Sequence, residues 1–225
     1  LHPAGHLLGS AQVRVEHRGE VWVVTGDYKR EPDATCESFE LVECHTLITE
    51  CTFGLPIYRW RPQREVFEEM NAWWRGNVER GQTSLLFGYA LGKAQRLLAG
   101  LDPSVGPILV HGAVARLLPA YREQGIELPK VLPASPENAK LHKGRCIVVA
   151  PPSAAGSTWA RKFSPSSSAF ASGWMQVRGT RRRRALDRGF VLSDHVDWPS
   201  LMQTIEESGA ETILATHGST GPLTR

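Results

Sequence analysis

Five residues in this sequence are of types that bind metals or carry protons, and each sits at the end of a short apolar or small-residue stretch. They are His6 in "LHPAGHLLGS", Asp27 in "VVTGDYK", Glu50 in "LITECTFG", His195 in "VLSDHVDW" and His217 in "ILATHG". Imidazole with carboxylate suits zinc, manganese or iron, and without thiolates in the set a structural zinc knot is not indicated. Small residues on both sides of His6 permit close approach of the backbone to an ion. Polar tips on rigid strands are the usual way in which layered α/β folds present ligands and catalytic groups. Taken singly, each residue also has a plainer use: a histidine at a strand end is commonly hydrogen-bonded, and an aspartate after Thr-Gly commonly serves a turn.

The elements that must position these residues can be read from periodicity. "AQVRVEH" alternates apolar and polar residues, "RGE" reads as a turn and "VWVVTGD" as a mostly apolar strand, so a β-hairpin is predicted whose second strand ends at Asp27. "HTLITECTFG" reads as a short buried strand carrying Glu50 to its tip. From Pro62 the texture changes. "REVFEEMNAWWRGNVER", "GKAQRLLAGL" and "AVARLLPAYREQG" are predicted helices, and "TSLLFGYA", "GPILVHG" and "RCIVVAPP" strands, an alternation that implies a parallel sheet faced by helices. "SPSSSAFASG" is expected to be loop. "GFVLSDHVDW" reads as a strand with a polar tip, "PSLMQTIEESG" as a helix and "ETILATHGST" as a strand ending at His217.

Composition sets the outer bounds. A chain of 225 residues with 41% hydrophobic and 22% charged residues can bury a real core. No apolar run reaches the roughly 18 to 20 residues that a bilayer requires, and no leader opens the chain, so a soluble, cytoplasmic protein without membrane partners is expected. Cys36, Cys44, Cys51 and Cys146 form no CxxC pair and are expected to be reduced. The net charge of +3 is small, but Arg178, Arg181, Arg182, Arg183, Arg184 and Arg188 place six guanidinium groups within eleven residues. Such a run is either a solvated segment or a phosphate-binding patch. The chain opens at Leu1 without methionine and stops just after "ATHG", which raises the expectation of a fragment.

In this order, "AGHLLGSAQV", "VVTGDYK", "LITECTFG", "FGYALGKAQRLL", "LSDHVDW" and "ATHG" resemble the later motifs of metallo-β-lactamase-fold nucleases with a β-CASP insertion. "FGLPIYRW", "VHGAV", "APPSAAGS" and "SGWM" are most similar to the bacterial ligase-associated DNA exonucleases. The resemblance implies an αββα sandwich, split into residues 1–52 and 189–225, around an inserted α/β domain of mainly parallel sheet at 53–188. It implies two divalent metal ions, zinc foremost and manganese second, with His6 on one, Asp27 bridging both and His217 on the other. It makes Asp27, His195 and Glu50 the catalytic set, with His195 handling the leaving-group proton and Glu50 orienting it. His111 lies mid-insertion and is read as structural or substrate-facing. The family's HxHxDH loop is absent from this chain, so an N-terminally truncated fragment that holds metal poorly is expected.

The implied activity is metal-dependent phosphodiester hydrolysis on DNA ends in repair, with a functional link to DNA ligase and a helicase. The arginine run would line the nucleic-acid path. Two alternatives stand beside this reading: an RNA-processing nuclease of the same family, since the motifs do not sense a 2′-hydroxyl, and a non-catalytic nucleic-acid-binding fragment.

Overall fold

The structure is a computed structural model that describes residues 1–177, 186–218, 220, 221 and 223. It forms two compact units, Leu1–Trp60 with Ser193–Arg225, and Arg61–Leu192. In chain order the first unit opens with β1 (His2–Pro3), β2 (Ala11–His17), β3 (Glu20–Val24) and β4 (Thr46–Cys51). The second holds α1 (Gln63–Glu79), β5 (Thr83–Phe87), α2 (Lys93–Gly100), β6 (Ile108–Val110), α3 (Gly112–Ala115), α4 (Leu118–Glu123) and β7 (Leu132–Pro133). It continues through α5 (Pro136–Leu141), β8 (Ile147–Ala150), α6 (Thr158–Arg161), β9 (Ser166–Ala171) and β10 (Arg188–Phe190). The chain then returns to the first unit with α7 (Trp198–Glu207) and β11 (Thr212–Gly218). The fold class is therefore α/β, and among the described residues no helix is long and apolar enough to cross a membrane.

The first sheet is mixed, in the order β1-β2-β3-β4-β11. The hairpin β2–β3 is antiparallel, whereas β3, β4 and β11 run parallel, so the chain leaves β3 and β4 at the same edge. Because side chains alternate across a strand, the sheet has two distinct faces. On one, Val21, Val23 and Leu47 are buried in a cluster that Ile205 of α7 joins. On the other, Val13, Val24, Ile48 and Leu214 stand in register across four strands, with Val15 and Trp22 paired in the next row. Val13, Val15, Trp22, Val24 and Leu214 on that face are 37% to 55% exposed.

The second sheet is parallel throughout, in the order β10-β9-β5-β8-β6-β7. Its central strands read as continuous apolar runs because both faces are covered. On one face Leu86, Val110, Ile147 and Val149 pack with Val66, Met70 and Trp74 of α1 and Leu97 and Leu98 of α2. On the other, Leu85, Phe87, Val148 and Phe170 pack with Ala139 of α5 and Ala160 of α6.

Two expectations for this unit are corrected. The stretch expected to be a Ser-rich loop contains β9, whose Ser166, Ser167 and Ser168 pair with Thr83, Ser84 and Leu85; pairing on both sides supplies what the sequence period lacks. The single helix expected over "AVARLLPAYREQG" is two, α3 and α4. Pro119 falls at the start of α4, where its missing N–H and its ring are tolerated, and it prevents a continuous helix from running through.

Candidate metal centre

The chain reverses tightly around His6. The Ser10 hydroxyl accepts the backbone N–H groups of His6 and Leu7, each at 3.2 Å, and the Ala4 N–H donates to the Ser10 carbonyl. Gly5 adopts φ +70°, and a Cβ there would collide with the Lys29 carbonyl oxygen. Only glycine lets the His6 loop approach the loop after β3 so closely. Asp27 lies three residues past β3, following Gly26 at φ +58°, rather than ending the strand as expected. Glu50 is the penultimate residue of β4, and His195 lies in the bend before α7.

These four segments are cross-linked through Tyr28 and Lys29. The Tyr28 N–H donates to Glu50 Oε1 at 2.9 Å, its carbonyl accepts the Val196 N–H, and the Lys29 N–H donates to the Ala4 carbonyl. Lys29 and Asp33, both nearly fully buried, form an ion pair at 3.1 Å inside the same loop, and Asp33 also accepts from Thr35.

His6, Asp27 and His195 each offer one ligand atom, and these atoms lie within 4.8 Å of one another. The two rings are 4.8 Å apart between centroids. His6 Nδ1 contacts the Asp194 carbonyl oxygen at 2.8 Å. A carbonyl can only accept, so Nδ1 carries the hydrogen and Nε2, which is 3.9 Å from Asp27 Oδ2, keeps its lone pair for a ligand. This backbone contact is the kind of outer hydrogen bond that fixes the tautomer of a metal-bound histidine.

His195 Nδ1 lies 3.0 Å from both Glu50 oxygens and 4.0 Å from Asp27 Oδ1. Burial alone would lower the His195 pKa, but hydrogen bonding and charge from Glu50, with Asp27 and Asp194, outweigh it and raise the net value. Glu50 mirrors this. Burial would raise its pKa, yet the hydrogen bond and charge of His195, then Thr52 and the Tyr28 N–H, bring it below the usual carboxylate range. The pair therefore favours imidazolium beside carboxylate, with His195 Nε2 as the nitrogen left to exchange a proton.

His6 Nε2 and Asp27, with one tautomer fixed and the carboxylate 38% exposed toward solvent, fit a divalent ion, while His195 stands beside them as the proton carrier rather than a donor. His217 lies outside this group of three. It sits at the end of β11 with a left-handed φ of 59°, its carbonyl accepts from the Thr52 hydroxyl, and its side chain is exposed. Arg188 pairs with Glu69 at 3.5 Å and stacks over Phe190. Arg178, Arg181, Arg182, Arg183 and Arg184 lie outside the described residues.

Sequence reasoning named Glu50 beside His195 but missed two further supports. The Trp60 indole donates to the His195 carbonyl at 2.9 Å, and Asp197 accepts the Trp60 N–H through one oxygen and the Ser200 N–H through the other. The signal was present for Asp197, since an aspartate followed by Trp-Pro-Ser reads as a helix N-cap with proline in the first turn. Tyr58 and Trp60 pack with Phe53 in an aromatic cluster.

Comparison with curated proteins found relatives of two kinds. The chain is 31% identical over 220 residues to a "Probable DNA ligase" of Opitutus terrae, covering 97% of this chain and 21% of the relative. It is 39% identical over 104 residues to "Endoribonuclease ysh-1" of Neurospora crassa, covering 45% of this chain and 12% of the relative. It is 36% identical over 101 residues to "Cleavage and polyadenylation specificity factor 73" of Drosophila melanogaster, covering 44% of this chain and 14% of the relative. The chain thus spans about a fifth or less of the length of these relatives. No protein-family model matches it.

Proposed function

We propose that this chain is part of a metal-dependent phosphodiesterase of the β-CASP group of metallo-β-lactamase-fold nucleases, acting on nucleic-acid ends. One observation carries the reading: His6, Asp27 and His195 converge on a single point, with Glu50 buried behind His195. The similarity to proteins named endoribonucleases supports hydrolysis of a phosphodiester.

In this reading His6 and Asp27 hold one metal, His217 serves a second, and further ligands come from outside these 225 residues. The exposed apolar sheet face beside β3 and β4 supports that last point, because such a surface is ordinarily covered. A divalent ion held here supplies Lewis acidity toward a phosphoryl oxygen and acidifies bound water. The chain's own residues do the rest: Asp194 orients His6, Glu50 holds His195 as imidazolium, and His195 Nε2 gives its proton to the departing oxygen.

DNA is the first substrate, from the near-complete overlap with the ligase-named relative. RNA is the second, favoured by the relatives named endoribonucleases. The test has two arms. Calorimetric titration of the 225-residue chain with Zn²⁺ or Mn²⁺ should find one weak site that His6→Ala and Asp27→Ala abolish; binding indifferent to both substitutions would overturn the site. Digestion of matched DNA and RNA strands by a polypeptide carrying the remaining ligands then assigns the sugar, and absence of metal-dependent cleavage of either strand would overturn the nuclease reading.

A further inference from the structure

The loop between β3 and β4 buries two opposite charges in a stretch that has neither helix nor strand to hold it. The side chains of Lys29 and Asp33 are 2% and 3% exposed, with Nζ 3.1 Å from Oδ2. The other carboxylate oxygen is in use as well: Oδ1 accepts the Thr35 N–H at 2.8 Å and the Thr35 hydroxyl at 2.7 Å. The desolvation of two buried ions can exceed their mutual attraction, and apolar residues of similar volume often serve stability as well or better. Stability alone therefore does not account for the pair.

Its place in the loop does. The pair spans the interval between two contacts that the loop makes with residues 4 and 5. Ahead of it, the Lys29 N–H donates to the Ala4 carbonyl at 3.0 Å, and the Lys29 carbonyl oxygen lies so close to Gly5 that no side chain fits there. Behind it, the Asp33 carbonyl accepts the Cys36 N–H at 3.5 Å, and the Cys36 thiol donates to the Gly5 carbonyl at 3.5 Å. His6 follows Gly5 directly, and Asp27 precedes Lys29 by two residues. Tyr28, between Asp27 and Lys29, donates its N–H to Glu50 and accepts the Val196 N–H. The loop thus grips the His6 turn at two points, and the ion pair fixes the chain between them. A loop free to shift there would let Asp27 drift from His6, whose Nε2 stands 3.9 Å from Asp27 Oδ2.

We infer that Lys29 and Asp33 are positioning residues for the metal centre: the buried pair locks the loop that sets Asp27 against His6. The inference deepens the proposed function and takes from it His6 and Asp27 as ligands. Partners that act behind the ligands in this way govern metal affinity by holding donor atoms in place before the ion arrives.

The test is the double variant Lys29→Met with Asp33→Asn, which removes both charges, keeps a side chain of similar length at the first position and leaves an amide oxygen to accept from Thr35. Urea midpoint, amide hydrogen exchange and calorimetric affinity for Zn²⁺ or Mn²⁺ are read on the whole 225-residue chain. The double variant should keep a midpoint near the parent's and lose exchange protection at the Tyr28 and Lys29 amides while β3 and β4 keep theirs. It should bind either ion about 10- to 100-fold more weakly. Unchanged protection at those two amides overturns the inference. So does unchanged ion affinity, which with a fallen midpoint would mark a pair that serves stability alone. A double variant that does not fold overturns it likewise, since the pair would then be needed for stability. An unsubstituted chain that binds neither ion overturns the metal site of the proposed function instead, and exchange at Tyr28 and Lys29 then decides whether the pair locks the loop.

Discussion

His195 and Asp27 stand in one cluster but are assigned different work, and the two can be separated by measurement. In a polypeptide with its full ligand set, His195→Ala should cut turnover by about 10² to 10⁴-fold while metal content stays near that of the parent. Asp27→Ala should lose both, and equal metal loss in the two variants would defeat the division of roles. A second residue-scale prediction concerns His111. Burial, and then the charge of Arg116, hold its imidazole below the usual value, so the unfolded chain takes up this proton at higher pH than the folded one. The stability contributed is complete above the unfolded value of about 6.5 and is lost as pH falls from there through the depressed folded value. His111→Asn keeps an acceptor for the Ala113 N–H and removes the titration. Its urea midpoint should therefore fall less between pH 7 and pH 5 than the parent's, and an identical fall would refute the assignment.

Elements hold the site through their ends more than through their middles. Asp197 caps α7 by accepting the Ser200 N–H and also takes the Trp60 N–H, so one carboxylate secures both the helix start and the strand of backbone that steadies His195. Asp197→Ala removes a cap and leaves a second donor unmet, which should cost about 2 kcal/mol in chemical denaturation; a change under a few tenths would mean that the cap is idle. In the parallel sheet the strands depend on helix packing. Leu97 of α2 is wholly buried against Leu86 and Val149 in one cluster, and Leu97→Ala should destabilise the chain by roughly 2 to 5 kcal/mol. These elements were legible because their apolar residues repeat at the helix and strand periods. The helix break at Pro119 was missed, although the proline's absent N–H was a signal for it. Strand β9 was not legible: three serines carry no period-two apolar signal, and only neighbours on both sides make them a strand.

At the scale of the molecule, the bare face of the first sheet is a continuous exposed apolar surface among the described residues, with Val13, Val15, Trp22, Val24 and Leu214 turned outward. The folded chain should bind the dye anilinonaphthalene sulfonate there, and Val15→Lys with Leu214→Lys should remove most of the fluorescence without altering the far-ultraviolet circular dichroism. Persistent fluorescence would place the dye elsewhere. The sequence by itself determined the α/β alternation, the buried strands and the residue types at their tips, because side-chain periodicity and turn chemistry act over a few residues. It also carried the motif order that resembles a nuclease family. Only the tertiary structure decided that His6 meets a carbonyl 188 positions away and that His217 stays outside the group of His6, Asp27 and His195. Such meetings depend on strand register and on loops closed by Gly5, Ser10 and Tyr28, whose contacts are made between segments and leave no local period to read.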